Sequence, residues 1–216
     1  MTVVNRGALA AVAAGAAALA VAAVVAVASR PTGSVGAEQA AALASPSPSA
    51  SGPSVAVAPG VLPADAEPVP PVRLRIPEIE VTARVNPVGV NERTGEFEVP
   101  PSVDQIGWYR YGPGLEAEAG SVVIAGHVDS AEQGRGAFYR LRDLAPGDTL
   151  TATGADGTER TYRVVAREEY DKTKIPLERY FARDGRPRLT LITCGGPFDA
   201  DARRYRDNIV VTAEPV

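Results

Sequence analysis

Two residues of this chain combine chemical reactivity with rarity: its single cysteine, Cys194, and its single histidine, His127. One cysteine cannot form an internal disulfide, and one cysteine with one histidine cannot supply the usual ligand set of a zinc site. The thiol is therefore either an inert core residue or a reactive group. A neighbouring imidazolium favours the thiolate, so a cysteine and a histidine that meet in the fold can carry out acyl transfer.

Each of these residues follows an apolar run that is typical of a buried strand. Residues 122–126 read VVIAG before His127, and residues 190–193 read TLIT before Cys194. A side chain at the exit of such a strand is held by the sheet but faces the rim, where a substrate can reach it. Cys194 is followed by Gly195 and Gly196, which we expect to leave room beside the sulfur for a peptide backbone.

Acyl transfer also needs a hydrogen-bond donor for the oxyanion of the tetrahedral intermediate. Three arginines, Arg203, Arg204 and Arg206, precede the last predicted strand. If that strand extends backward, Arg204 and Arg206 share a face and Arg203 points away. Arg206 is nearest the strand and ranks first, with Arg204 second. Asp129 either orients the imidazole of a triad or caps the loop that follows it.

The elements that must position these residues read as β-structure. The apolar runs are rich in Val, Ile, Thr and Tyr and alternate with turn signals, which indicates an all-β barrel or sandwich. The predicted strands are residues 72–76, 81–85, 95–99, 121–126, 149–153, 161–166, 189–194 and 208–213. Two short helices are predicted at residues 136–144 and 176–182, the second with proline at its first helical position.

The N-terminal segment predicts a membrane anchor, residues 1–30. Residues 7–29 carry no charge and consist mainly of Ala and Val. At about 1.5 Å per residue, such a helix crosses a hydrocarbon layer of roughly 30 Å. The expected localisation is the cell membrane, single-pass, with the catalytic domain extracytoplasmic. The alternative is a cleaved signal peptide, with Ala26, Val27 and Ala28 as the cleavage site.

Residues 31–71 predict a disordered Pro/Ala/Ser linker, because such a composition cannot bury enough surface to offset its ordering entropy. The catalytic domain is then residues 72–216, and removing residues 1–71 is expected to leave it soluble and active. The formal net charge of −4 provides no field that would recruit nucleic acid.

Several motifs resemble those of the sortase family. Residues 190–194, TLITC, match its signature TLxTC, and residues 125–127, AGH, are similar to its histidine segment. Residues 194–199 (CGGPFD) and 205–211 (YRDNIVV), together with GWY before the histidine, resemble the class F subgroup. The similarity covers residues 72–216. It implies an eight-stranded sortase-type β-barrel that carries a His–Cys–Arg site.

The resemblance also implies an activity. Sortases cut an LPxTG-like sorting signal after the threonine through a thioacyl-enzyme intermediate, which an amine of a peptidoglycan precursor then resolves. In this chain Cys194 would be the nucleophile, His127 the acid and then the base, and Arg206 the group that stabilises the oxyanion or aligns the substrate. The expected partners are surface proteins that bear a sorting signal, the precursor amine, and the membrane.

Residues 168–188 resemble the family's loop between strands six and seven, which forms a wall of the signal groove. The resemblance implies substrate contacts for Ile175, Pro176 and Leu177, although packing of a short helix onto the barrel explains them equally well. Thr193 is placed with them among the substrate-binding residues, where it would help to position the site through its backbone or hydroxyl.

Some sortases bind calcium in this region, and Glu168, Glu169 and Asp171 could do so here. An exposed carboxylate run is the commoner interpretation, and we expect neither metal nor cofactor.

Two other functions remain open at this stage. If water replaces the amine as acceptor, the protein is a hydrolytic cysteine peptidase of the same fold. If the thiol is inert, it is a noncatalytic wall-binding module, and Cys194 should then be buried and unreactive.

Overall fold

The computed structural model describes residues 33–45, 68–91, 93 and 97–216. Gly33–Val216 form one compact unit. The predicted anchor or signal peptide, and most of the predicted linker, lie outside the described residues. Within the described ranges, no helix combines the length and apolar character needed to cross a membrane.

Eight strands close into a barrel, which confirms the predicted all-β class and the eight-stranded architecture. The barrel strands are β1 (Pro71–Ile76), β2 (Val81–Val88), β3 (Ile106–Tyr109), β4 (Ser121–Gly126), β7 (Thr149–Gly154), β8 (Glu159–Asp171), β9 (Arg188–Asp199) and β10 (Arg204–Pro215). A separate hairpin pairs β5 (Asp129–Ser130) with β6 (Gly134–Arg135). The order around the barrel is β1-β2-β3-β4-β9-β10-β8-β7, with parallel pairing of β2 with β3 and of β4 with β9.

Alternate side chains of the strands fill the interior of the barrel. The leucine and isoleucine side chains that are at most 1% exposed there include Leu74, Ile76, Ile106, Ile124, Leu150, Leu189 and Leu191. Full burial of one such side chain contributes about 1.5–3 kcal/mol. The two strands that lead to the predicted catalytic pair, β4 and β9, both contribute to this core and are therefore rigidly placed.

The strand predicted at residues 95–99 is wrong in its described part, where Phe97 forms only an isolated bridge with Val90. The third barrel strand is instead β3. It was not predicted because Gly107 precedes Trp108 in this short run and glycine is depleted in strands. The structure requires both residues: a Cβ on Gly107 would lie 2.7 Å from a methyl carbon of Val88, and Trp108 is 3% exposed.

The two predicted helices are shorter than expected. Residues 136–144 contain only a 3₁₀ turn, Leu141–Asp143. The buried side chains Phe138, Leu141 and Leu144 are three residues apart, which is the period of a 3₁₀-helix rather than of an α-helix. The other helix, α2 (Leu177–Tyr180), has Pro176 as its N-cap residue instead of its first helical residue.

Residues 33–45 correct the prediction that 31–71 is a disordered linker. This segment contains helix α1 (Ala37–Ala44), which contacts β8 and α2 on the outside of the barrel. Ala40 and Leu43 are each 2% exposed. Alanine is the best helix former, and these two apolar side chains find a surface to cover, so tertiary packing overrides the composition.

The chain just before α1 is also attached to the barrel. Val35 and Arg167 exchange two backbone hydrogen bonds of 2.7 and 2.9 Å, and the buried guanidinium of Arg167 donates to the carbonyl oxygen of Gly33 at 2.9 Å. Gly36 has a φ of 75°, and a Cβ there would lie 2.1 Å from the carbonyl oxygen of Val165. The segment therefore docks in a defined conformation that needs glycine at this position.

A second buried arginine ties α1 to the segment before β9. Arg188 is 2% exposed and donates to the carbonyl oxygens of Asp184 at 3.1 Å, Arg186 at 3.0 Å and Leu43 at 3.4 Å. Burial lowers the pKa of Arg188 below its ordinary value, since charge is costly away from water. The carbonyl oxygen of Leu43 in α1 is therefore one of the groups that satisfy this buried cation.

Candidate active site

The predicted catalytic pair leaves two neighbouring strands at matching positions. In the parallel pairing of β4 with β9, Ala125 lies opposite Ile192. Two residues farther along, the same register places His127 opposite Cys194. The residue before each paired partner belongs to the core, so the two partners, and with them His127 and Cys194, point to the outer side of the sheet. The structure brings the only imidazole and the only thiol to one rim.

His127 and Cys194 line a cleft of about 590 Å³. Apolar side chains, Val128, Ala131 and Phe198, form part of its wall, and the cations Lys172, Arg203 and Arg204 form another part. Both site residues are only half-buried. A peptide can therefore reach the sulfur, which is contrary to the expectation for an inert core cysteine.

The imidazole is oriented by a backbone carbonyl. Nε2 of His127 lies 2.9 Å from the carbonyl oxygen of Pro100. Because a carbonyl oxygen only accepts, Nε2 carries the proton of this bond, and Nδ1 is the nitrogen left for proton transfer. Phe138 donates its backbone N–H to the carbonyl of His127 at 3.1 Å, and Gly136 leaves no room for a Cβ, which would lie 2.3 Å from the same oxygen.

The hydrogen bond of Asp129 is to Tyr205, whereas that of the imidazole is to Pro100. Oδ2 of Asp129 accepts a 2.6 Å hydrogen bond from the hydroxyl of Tyr205. This bond to a carboxylate raises the pKa of Tyr205 to about 12, because the phenol proton is held by the anion. The Asp129–Tyr205 bond therefore joins β5 to the beginning of β10 across the cleft.

The sulfur has a partner that the sequence did not indicate. Nζ of Lys172 donates to Sγ of Cys194 at 3.4 Å, a bond within the ordinary range for sulfur acceptors. Phe198 and Tyr205, in edge-to-face contact at 5.2 Å, were not predicted as site residues either. One compositional signal for Lys172 existed: apart from Lys174, every other basic residue of the chain is arginine.

Thr193 positions strands instead of contacting the cleft. Its side chain is 4% exposed, and Oγ1 donates to the carbonyl oxygen of Gly126 at 2.8 Å. The expectation of a positioning role through the hydroxyl agrees with this geometry, whereas direct contact of that hydroxyl with a substrate does not. The bond joins β9 to β4 one residue before Cys194 and His127.

The two glycines after the cysteine have a structural reason that differs from the predicted one. Gly195 packs against Ile209, where a Cβ would lie 2.6 Å from Cγ1. Gly196 has a φ of 69°, and the position of its missing Cβ is occupied by the carboxylate of Asp207. These glycines allow β9 and β10 to approach each other and turn, and they are not open space beside the sulfur.

The arginines are arranged differently from the strand-parity prediction. A bulge between Tyr205 and Asp207 interrupts the pairing of β10 with β9. Arg203 and Arg204 consequently line the cleft, whereas Arg206, also a described residue, is not part of its lining. The guanidinium of Arg206 pairs with Asp199 at 3.4 Å, with its side chain 64% exposed.

Ile175, Pro176 and Leu177 lie in the connection from β8 to β9, as predicted. Leu177 begins α2 and is 51% exposed, and the other two are half-buried. Their substrate contacts stay a prediction.

Glu168, one of the three residues named above as possible calcium ligands, anchors α2. Its carboxylate is buried and accepts hydrogen bonds from Tyr170 at 2.7 Å, Tyr180 at 2.8 Å and Arg179 at 3.0 Å. Burial, with these hydrogen bonds, raises the pKa of Tyr180 well above its ordinary value, so the phenol stays a donor. Among the residues described, no group of three His, Cys, Asp or Glu side chains is arranged to hold a metal.

The fold and the site define a closed β-barrel with a cysteine and a histidine at one rim. The family model described as Sortase domain matches residues 74–216. The chain therefore belongs to the sortase family. Comparison with curated proteins found none that matches.

Solved structures support the same fold. Sortase C-1 from Actinomyces oris is 22% identical, with 67% of this chain and 72% of that chain covered and a TM-score of 0.51. Sortase A from Corynebacterium diphtheriae, as a lid mutant, is also 22% identical, with 70% and 73% covered and a TM-score of 0.51. At such identities the likeness is one of fold, and the class F assignment stays a prediction.

Proposed function

We propose that this protein is a cysteine transpeptidase of the class F type. It would cleave an LPxTG-like sorting signal through a thioacyl-enzyme intermediate and transfer the protein to an amine acceptor of the cell wall. The observation that carries the proposal is the emergence of His127 and Cys194 side by side from β4 and β9 into an accessible cleft. A noncatalytic module would have no use for an accessible thiol in this position.

In the proposed reaction the thiolate of Cys194 attacks the carbonyl carbon of the threonine, and the carbonyl π electrons move to oxygen. Protonated His127 then gives its Nδ1 proton to the leaving amide nitrogen, and the C–N bond breaks to leave the thioester. The incoming amine reverses these steps, with neutral His127 as base. The carbonyl of Pro100 holds the imidazole in one orientation throughout, which suits it to both transfers.

Oxyanion stabilisation is assigned to an arginine at the beginning of β10. Arg206 can serve only after its guanidinium turns from Asp199 toward the cleft, a movement that its 64% exposed side chain allows. Arg204 lines the cleft without such a movement. The structure therefore favours Arg206 over Arg204 less strongly than the sequence does.

The proposed substrate path runs past the connection between β8 and β9. Leu177 presents an apolar side chain that is 51% exposed, beside the half-buried Ile175 and Pro176. The hydrogen bonds from Arg179 and Tyr180 to Glu168 hold α2 against the barrel. The side chains of residues 175–177 would therefore form a stable wall. We assign to them the Leu-Pro part of the sorting signal.

Incubation of the purified full chain with an LPxTG peptide and an oligoglycine amine tests the proposal. We expect a ligated product in which the threonine is joined to the amine, because the thioester is resolved by the better nucleophile. A peptide with the same residues in scrambled order is the control. Hydrolysis without ligation would assign the peptidase alternative, and the absence of both cleavage and a thioacyl adduct would exclude either activity for this peptide class.

The proposed location is the cell membrane, single-pass, with the barrel outside. The support for it is the uncharged run at residues 7–29. Fractionation of producing cells should recover the full chain with membranes, and a chain that begins at Gly33 should be recovered in the soluble fraction. A secreted product that begins shortly after Ala28 would assign the signal-peptide alternative, and a full chain in the cytosol would contradict both.

A further inference from the structure

We propose that Lys172 is a further catalytic residue of this site, whose ammonium group keeps the Cys194 sulfur in its thiolate form. The proposal rests on the proposed transpeptidase function and adds a source of charge that the cysteine–histidine pair does not include. Its basis is the contact of 3.4 Å between Nζ and Sγ. Among the residues described, no other hydrogen-bond partner of this sulfur is found.

The backbone of Lys172 is held firmly enough for this role. Lys172 is the first residue after β8, and its N–H donates to the carbonyl oxygen of Arg206 at 3.1 Å. The preceding residue, Asp171, accepts from the backbone of Thr173 at 2.9 Å and of Lys174 at 2.8 Å. The strand end and the turn after it therefore fix where the lysine side chain begins.

The barrel topology brings this distant residue to the sulfur. On β10, Asn208 lies between Tyr170 of β8 and Cys194 of β9 in register. Lys172 is two residues beyond Tyr170 and is half-buried. The long lysine side chain spans the intervening strand and brings its charge to the sulfur.

Other charged groups face the same place. His127 lines the cleft from the end of β4. Arg203, in the β9–β10 turn, and Arg204, at the start of β10, add positive charge, whereas Asp129 of β5 adds a negative charge. Asp207, on β10 opposite Gly195, is a second anion near the rim. Lys172 is the cation in direct contact with the sulfur, so its removal should matter more than that of the more distant charges.

This contact changes how the protons are distributed. The thiol proton leaves to solvent, the thiolate remains paired with the ammonium, and Lys172 keeps its own proton during attack. The histidine is then not needed as the counter-ion of the thiolate. Protonated His127 can give up its Nδ1 proton to the leaving nitrogen while the sulfur, now in a thioester, no longer needs a cation.

The test is the rate at which iodoacetamide alkylates the full chain, followed by mass spectrometry. Cys194 is the only cysteine, so every adduct reports on it. At pH 7 we expect Lys172→Met to lower the rate about tenfold or more, because alkylation requires the thiolate. Lys172→Arg should stay within about threefold of the unchanged protein, and the gap between Lys172→Met and the unchanged protein should close near pH 10, where thiols ionise unaided.

Lys174→Met is the matched control, since it removes the chain's other lysine from the same connection and should leave the rate unchanged. Near-ultraviolet circular dichroism verifies folding of each variant, and Lys172→Gln replaces any variant that does not fold. An unchanged rate in folded Lys172→Met overturns the proposal, as does an equal loss in Lys174→Met. So does a loss in His127→Ala that is absent from Lys172→Met.

This experiment uses no peptide substrate. A Lys172-dependent alkylation rate in a protein that cleaves no sorting peptide would therefore contradict the transpeptidase function and leave the charge contact intact. Cleavage of the sorting peptide with an alkylation rate that does not depend on Lys172 would support the transpeptidase function and contradict the role proposed for Lys172.

Discussion

Cys194→Ala is expected to abolish cleavage and ligation of a sorting peptide while leaving the barrel folded. The side chain is half-buried at the rim, and the change removes one sulfur atom that no core residue depends on. Without a nucleophile no thioester can form, and losses of about 10³-fold or more are typical when such a group is deleted. The measurement is the initial rate of release of the peptide's C-terminal fragment.

His127→Ala should be nearly as damaging, because the leaving amide nitrogen then lacks its proton donor. The melting temperatures of both variants, compared with that of the unchanged protein, separate loss of chemistry from loss of structure. Turnover retained in folded Cys194→Ala would mean that the cleft around β4 and β9 is not the catalytic site.

Removal of residues 33–45 is expected to destabilise the barrel strongly, whereas removal of residues 1–32 alone should not. The comparison is between a chain that begins at Gly33 and a chain that begins after Ser45. The second lacks α1, and with it the burial of Ala40 and Leu43 against the outside of β8. This expectation replaces the simpler one that everything before residue 72 is dispensable.

The size of the effect follows from three contributions. Burial of a leucine stabilises by about 1.5–3 kcal/mol, and hydrogen bonds from charged donors such as Arg167 and Arg188 add about 1.5–3 kcal/mol each before the ordering entropy of the segment is subtracted. A net loss of about 3 kcal/mol is expected. For a unit of this size it corresponds to a decrease of about 6–12 °C in melting temperature.

Leu43→Ala in the full chain is the matched point variant and should cost about 2–3 kcal/mol in urea unfolding, because the docked helix cannot fill the space left behind. A surface change on the same helix, Glu38→Gln, should leave the free energy of unfolding within about 0.5 kcal/mol. Equal melting temperatures for the two truncated chains would show that α1 does not dock in solution.

The sequence alone identified the two reactive groups of the candidate site. A single thiol and a single imidazole, each at the end of an apolar run, are local features. The strands β4 and β9 form there because those runs are rich in β-branched residues and largely buried. The motif TLITC, one of those that carry the resemblance to the sortase family, lies within β9. Elements of this kind are predictable, since their local pattern and their tertiary environment agree.

Only the tertiary structure decided which charges reach the sulfur and which segment covers the barrel. Lys172 contacts Cys194 because β8 and β9 flank β10, and the bulge after Tyr205 turns Arg206 away from the cleft that Arg204 lines. Residues 33–45 fold because Ala40 and Leu43 are buried against a distant part of the chain. The buried guanidinium groups of Arg167 and Arg188 also donate hydrogen bonds to backbone carbonyl oxygens of this segment. Such contacts join residues far apart in the chain, and neither periodicity nor composition encodes them locally.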